Sequence, residues 1–111
     1  MASVADLSDP VLDEFVNSLL PRLREEWRAQ QVILFGSRAR GDGHEWSDVD
    51  VVVVSPLFRG QRFIDRGPAV LTALGCPAFV EPLCYTPEEF ERQRNEPGIV
   101  AMAVREGIRL L

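Results

Sequence analysis

The sequence predicts an α/β domain in which a small mixed β-sheet is flanked by helices. Two short runs of β-branched and aromatic residues, at 31–36 and 47–55, are typical of buried strands. Segments with helical spacing of apolar residues separate the strands. The chain has 111 residues, 46% hydrophobic and 26% charged, which is the balance of one globular domain. We therefore expect residues 1–111 to form a single domain with a core that needs no disulfides.

The first helix begins at a Ser8 or Asp9 cap, with Pro10 in its first turn. Apolar residues recur along it at positions 12, 15, 16, 19, 20, 23 and 27. Pro21 lies inside this pattern, where it lacks an amide donor and clashes with the preceding turn. We expect a kink or a new start of the helix near Leu20.

Three strands and their places in the sheet follow from the apolar pattern. Residues 31–36 end at a glycine. The run after Asp50 is apolar without a break, which indicates coverage on both faces and a central position. The third strand, residues 77–85, contains Pro82, which cannot donate a ladder hydrogen bond. This strand is therefore expected at an edge or beside a bulge.

The remaining elements are marked by their caps and breaks. Thr86, with Pro at the next position and Glu at the third, has the form of a capping box. In chain order we predict a helix over Phe63–Leu74, interrupted at residues 67–68 and stopped by Gly75, a helix from Thr86, a helix over 99–105 and a short terminal strand over 108–111.

Charge and composition exclude several function classes. Seventeen acidic residues against twelve arginines and no lysine give a net charge of −5, which opposes binding to a nucleic-acid backbone. The start has no apolar leader segment and no run approaches the ~18 residues of a membrane span, so we expect a cytoplasmic protein that does not enter the membrane. Cys76 and Cys84 are expected to be reduced, buried and without a redox or metal role.

A glycine and a serine stand where the first strand ends. Gly36 allows the backbone to approach a ligand, and the amides and hydroxyl at Ser37 can face an anion if a short helix follows. The spacing is neither that of a Walker loop nor that of a dinucleotide fingerprint. A phosphate seat and an ordinary tight turn both remain open from these two residues alone.

Two carboxylates open the second strand. Asp48 and Asp50 are at positions i and i+2, so they project from the same face, roughly 7 Å apart along the chain. Two carboxylates at that separation repel each other unless a cation lies between them, and they can hold divalent ions. A solvated strand end is the alternative, which the apolar continuation at 51–54 argues against. An EF-hand is excluded, because valines follow Asp50.

Gly-Ser at 36–37, followed after ten residues by Asp-x-Asp at 48–50, resembles the signature of the DNA polymerase beta-type nucleotidyltransferase superfamily. The sequence is most similar to the minimal members of that superfamily, the MNT proteins. The resemblance extends through most of the chain, from the leading helix to the closing Arg-Glu-Gly-Ile-Arg-Leu-Leu. It implies the nucleotidyltransferase fold.

The resemblance also implies a reaction. A nucleoside triphosphate, ATP or another, binds with Mg²⁺, an acceptor hydroxyl attacks the α-phosphorus, and pyrophosphate leaves. Asp48 and Asp50 would hold two Mg²⁺ ions. Phosphate contacts, including charge-assisted hydrogen bonds from arginine, are expected from Gly36, Ser37, Arg38 and Arg40.

Glu81 departs from the family pattern, in which the third carboxylate is usually an Asp on the following strand. Glu81 occupies the matching place, but its side chain is one methylene longer and Pro82 follows it. Glu81 is either a catalytic metal ligand or an edge-strand glutamate without a role, and both interpretations remain open.

Trp46 could stack on a base or anchor its loop to the core, and both interpretations remain open. Surface positions are expected for Arg59, Arg62 and Arg66.

Three functions are compatible with this pattern. By resemblance, the first is transfer of AMP from ATP to a hydroxyl on a small helical HEPN-type toxin, which makes the chain an antitoxin. The second is a binding module that has lost the reaction and neutralises its partner by docking. The third is a small-molecule nucleotidyltransferase, of the antibiotic-modifying kind, that acts as a homodimer.

Overall fold

The structure, a computed structural model, describes residues 8–44, 47–77 and 79–111. The helices are α1 (Pro10–Glu14), α2 (Leu20–Glu26), α3 (Ser37–Arg40), α4 (Phe63–Leu74), α5 (Pro87–Gln93) and α6 (Ile99–Glu106). The strands are β1 (Gln31–Phe35), β2 (Val49–Val54), β3 (Val80–Tyr85) and β4 (Ile108–Arg109). A π-helical turn (Phe15–Leu19) joins α1 to α2, and a 3₁₀ turn (Pro56–Phe58) follows β2.

The described strands form one mixed sheet in the order β3-β2-β1-β4. Strand β2 runs antiparallel to β1 and parallel to β3, and β4 runs antiparallel to β1. The predicted α/β fold with a mixed sheet is therefore confirmed. The predicted central position of the second strand is confirmed too, and so is the edge position of the strand that contains Pro82.

Helices cover both faces of the sheet, because alternate residues of each strand point to opposite sides. On one face, α1, α2 and α4 pack against β1 and β2 through residues that include Leu12, Leu34 and Val70. On the other face, α5 and α6 pack through residues that include Phe90 and Ala103. The result is a layer of helices on each side of the sheet.

The first helix continues past Pro21 by widening one turn. Asp9 caps α1, since its Oδ1 accepts from the amides of Val11 at 3.0 Å and Leu12 at 3.4 Å. In the π-helical turn the amide of Leu20 donates to the carbonyl of Phe15, five residues earlier, and α2 then starts with Pro21 in its first turn. The predicted new start near Leu20 is confirmed.

The predicted interruption of the fourth helix at residues 67–68 is wrong, because α4 runs through both residues. Pro68 is exposed, so the carbonyl that loses its amide partner lies on the solvent side of the helix. Gly67 lets the helix approach β3, since a Cβ there would lie 3.0 Å from the carbonyl oxygen of Pro82. The predicted stop at Gly75 is confirmed by its left-handed conformation, with φ 62°.

The C-terminal elements agree with the sequence pattern except in length. Thr86 and Glu89 form the predicted capping box at the start of α5. Strand β4 covers two residues rather than four, although the amides of Leu110 and Leu111 still donate to the carbonyl of Val32. The third strand starts at Val80 rather than at residue 77, and residue 78 lies outside the described residues. Among the residues that are described, no helix has the length and apolar character to cross a membrane.

Candidate metal and nucleotide site

Three carboxylates meet at the end of the sheet where β1 stops and β2 and β3 start. Asp50 pairs in register with Glu81 on one side and with Phe35 on the other, so these three residues share a sheet face. Asp48 lies one residue before β2. One carboxylate oxygen from each of Asp48, Asp50 and Glu81 lies within 4.8 Å of the others. The structure thus brings Glu81 to the two aspartates despite its different side-chain length and the proline that follows it.

The three side chains concentrate negative charge. Burial raises the pKa of Asp50, and the charge of Asp48 raises it further, against the opposing effect of a hydrogen bond with Glu81. Desolvation, followed by the charges of Asp48 and Asp50, raises the pKa of Glu81. Within the described parts of the chain, no arginine forms an ion pair with any of the three. A bound cation would relieve this repulsion.

The donor set fits a hard divalent cation. All three groups offer carboxylate oxygens, which are the ligands that Mg²⁺ and Mn²⁺ prefer, and no thiol or imidazole belongs to the cluster. Mg²⁺ binds oxygen at about 2.1 Å, so ligand atoms on one ion lie at most about 4.2 Å apart. The spacing of up to 4.8 Å seen here therefore requires only a small movement to reach a common ion.

The turn after β1 packs directly against Asp50. Gly36 has φ 82° and ψ −161°, a conformation that is almost restricted to glycine. A Cβ at this position would lie 2.6 Å from Oδ2 of Asp50. Helix α3 starts at Ser37, which is half-buried, so the predicted short helix after the Gly-Ser pair is confirmed. The Gly-Ser turn and the carboxylates are therefore immediate neighbours.

The two arginines of α3 have different surroundings. Arg38 is 3% exposed, and its Nη1 donates to Oδ2 of Asp9 at 2.7 Å. Arg40 is exposed, with its Nε 3.3 Å from Oδ2 of Asp42. Arg40 thus faces solvent, whereas Arg38 is held by the start of α1. Trp46, the candidate for base stacking, lies outside the described residues.

Sequence reasoning missed the partner of Arg38 and the burial of Arg66. Asp9 is predictable as a helix cap, but no spacing signal links it to an arginine 29 residues later. Arg66, expected at the surface, is 5% exposed and donates from Nη1 to Oε1 of Glu89 at 2.6 Å, at the opposite end of β3 from the carboxylate cluster. The capping box at Thr86 was the one available signal, because it fixes the position of Glu89.

A mixed sheet with converging carboxylates beside a Gly-Ser turn defines a domain suited to binding divalent cations and phosphate groups. The family model described as "Nucleotidyltransferase domain" matches residues 16–99, which is most of the chain. The chain therefore belongs to the nucleotidyltransferase domain family, as the resemblance of its motifs predicted.

Two similar proteins support this assignment at different levels. The chain is 46% identical over 49 residues to a Methanocaldococcus jannaschii protein named "Putative protein adenylyltransferase". That match covers 44% of this chain and 47%, about half, of the relative. A solved structure of a "putative nucleotidyltransferase" from Sulfolobus solfataricus superimposes with a TM-score of 0.60 over 83% of this chain and 81% of that chain. At 20% identity, the structural similarity supports the fold alone.

Proposed function

We propose that this protein is a Mg²⁺-dependent nucleotidyltransferase that transfers AMP from ATP to a hydroxyl group. One observation carries the proposal: Asp48, Asp50 and Glu81 converge to within 4.8 Å beside the turn at Gly36. Membership of the family supports the type of reaction. The all-oxygen donor set supports the choice of Mg²⁺.

Asp48, Asp50 and Glu81 are the proposed catalytic residues and metal ligands, for two ions as in the family. Bound metal would lower the pKa of the acceptor hydroxyl and neutralise charge on the triphosphate. The structural support for Glu81 is its register with Asp50 on the neighbouring strand. The sheet places Asp50 and Glu81 on neighbouring strands, which reduces the reorganisation required for binding.

Gly36 and Ser37 are proposed to seat the β- and γ-phosphates. Gly36 has no side chain to block the approach to the cluster, and backbone amides are available at the start of α3. Arg40 is proposed to donate to phosphate, because its exposed guanidinium has only the exposed Asp42 as a described partner. Arg38, also predicted as a phosphate ligand, lies on the same helix but is 3% exposed and donates to Asp9.

The proposed acceptor is a protein hydroxyl on a small helical partner of the HEPN type, which the protein would modify as an antitoxin. The resemblance to minimal nucleotidyltransferases supports this choice. The printed name of the archaeal relative, a protein adenylyltransferase, also supports a protein acceptor. A cytoplasmic location accompanies this proposal.

Incubation with Mg²⁺ and each α-labelled nucleoside triphosphate, with and without a co-purified partner, tests the proposal. We expect label on the partner with ATP, and loss of the label with Asp50→Asn. Asp42→Asn is the matched control, because it makes the same change on an exposed carboxylate that pairs only with Arg40 among the described residues. A partner that binds but is never labelled would favour a docking module. Label on a small molecule by a homodimer would favour the antibiotic-modifying alternative.

A further inference from the structure

Arg38 connects the Gly-Ser turn to the backbone that precedes Asp48. Its Nε donates to the carbonyl oxygen of Ser47 at 2.9 Å, while its Nη1 donates to Asp9 at 2.7 Å. The guanidinium is buried, which strengthens both charge-assisted hydrogen bonds. Because Arg38 directly follows Ser37 in the chain, its side chain joins the proposed phosphate seat to Ser47, the residue before the first proposed metal ligand.

Asp48 depends on such support because it lies outside the sheet. Strand β2 begins at Val49, so Asp48 takes no part in the ladder. Hydrogen bonds on either side hold it: the carbonyl of Ser47 accepts from Arg38, and the amide of Val49 donates to the carbonyl of Phe79 at 2.8 Å. The contact with Arg38 therefore fixes the peptide plane that directly precedes Asp48.

Asp9 anchors this arrangement to the first helix. Its Oδ1 caps α1 through Val11, and its Oδ2 accepts from Arg38, so one carboxylate serves two elements. The loop after α3 folds back over the same arginine, since a Cβ on Gly43 would lie 3.1 Å from Cγ of Arg38. Loss of the Asp9 charge would remove an ion-pair partner from a buried guanidinium, which is unfavourable.

We propose that Asp9 and Arg38 are positioning residues that hold Asp48 in its metal-binding position. This inference rests on the metal site of the proposed function. It assigns Arg38 an action through the backbone of Ser47 in place of direct contact with phosphate, and it gives Asp9 a functional role beyond helix capping.

The test is a Mn²⁺ titration of the full chain by calorimetry. Asp9→Asn keeps an oxygen for the helix cap but loses the charge, and Arg38→Gln removes the guanidinium. Both variants should bind Mn²⁺ about 10- to 100-fold more weakly than the native chain, as expected for groups that orient metal ligands. Arg66→Gln is the matched control, because it removes the other buried arginine that pairs with a carboxylate, at the far end of β3. It should lose stability and keep native Mn²⁺ affinity.

Three results would overturn the proposal. The first is native Mn²⁺ affinity in folded Asp9→Asn, and the second is equal weakening in Arg66→Gln. The third is loss of ATP binding with unchanged Mn²⁺ affinity in Arg38→Gln, which would make Arg38 a phosphate ligand.

Hydrogen exchange at the Val49 amide gives a readout that does not depend on metal. Exchange there should be faster in Asp9→Asn than in the native chain, while the Phe90 amide, which donates to Thr86 in the α5 cap, stays unchanged. A native chain that binds no Mn²⁺ would contradict the proposed metal site. In that case hydrogen exchange alone would test the positioning role, and an unchanged exchange rate at the Val49 amide in Asp9→Asn would reject it.

Discussion

Replacement of Gly36 by alanine should damage the site through two separable effects. The first is backbone strain, because φ 82° with ψ −161° is nearly closed to residues with a Cβ and costs of the order of 1–3 kcal/mol. The second is a collision, since the new Cβ would lie 2.6 Å from Oδ2 of Asp50 where ordinary contact begins at 3.4 Å. The colliding atom is at the end of the Asp50 side chain, so rotation of that side chain out of the cluster would relieve the contact.

The expected result is a moderate loss of stability together with a large loss of metal affinity. Urea unfolding of Gly36→Ala should show a free energy of unfolding lower by about 1–3 kcal/mol. A Mn²⁺ titration should show affinity lower by about tenfold or more, because Asp50 is displaced from the other ligands. Gly60→Ala separates the two effects, because Gly60 has φ 79° but no neighbouring atom within 4 Å of the new Cβ.

Gly60→Ala should therefore lose stability by backbone strain and keep native Mn²⁺ affinity. Native Mn²⁺ affinity in Gly36→Ala would refute the inference that Gly36 makes room for the Asp50 carboxylate. Unchanged stability in Gly36→Ala would refute the backbone conformation on which the first effect depends.

Three further predictions follow from charge and burial. Arg66 lowers the pKa of Glu89 below its ordinary value of 4.5, so Glu89 stabilises the fold above that pH and loses this effect as pH falls through its folded pKa. Glu89→Gln should cost about 2 kcal/mol at pH 7 in urea unfolding and should reduce the loss of stability on acidification below pH 4.5. Burial raises the pKa of the Cys84 thiol to about 12, so a thiol reagent at pH 8 should label Cys84 only after unfolding. In thermal unfolding, Mg²⁺ at 100 times its dissociation constant should stabilise the native chain by about 2.7 kcal/mol, and Asp50→Asn should lose this gain. When both proteins are free of metal, Asp50→Asn should be the more stable, because it relieves the repulsion among the three carboxylates.

Each of these three outcomes has a contrary result. Equal acid sensitivity in Glu89→Gln and the native chain would show that the ion pair with Arg66 does not form in solution. Labelling of Cys84 in the folded protein would contradict its burial. A Mg²⁺ shift that persists in Asp50→Asn would place the ion elsewhere.

Features that depend on nearby residues were predictable from the sequence. The capping box at Thr86 needs only residues within one helical turn, and the edge position of β3 follows from the one amide that Pro82 lacks. The proximity of Asp48 and Asp50 was predicted from a strand that begins at residue 47, whereas β2 begins at Val49 and Asp48 lies just before it. These predictions need no knowledge of the tertiary structure.

Features that depend on packing were not predictable. The continuity of α4 through Pro68 depends on which side of the helix faces solvent, and that is known only once the sheet is in place. Whether the Glu81 carboxylate reaches the two aspartates depends on the parallel register of β3 with β2. The pairing of Asp9 with Arg38 requires α1 and α3 to meet, across 29 positions of sequence. Local chemistry gives no signal for any of these three.

A crystal structure with Mn²⁺ and a non-hydrolysable ATP analogue tests the central claim most directly. We predict anomalous density for Mn²⁺ between the carboxylates of Asp48, Asp50 and Glu81, with the triphosphate against the backbone of Gly36 and Ser37. Density for the ion away from these carboxylates, or a triphosphate bound elsewhere on the chain, would contradict the proposed site.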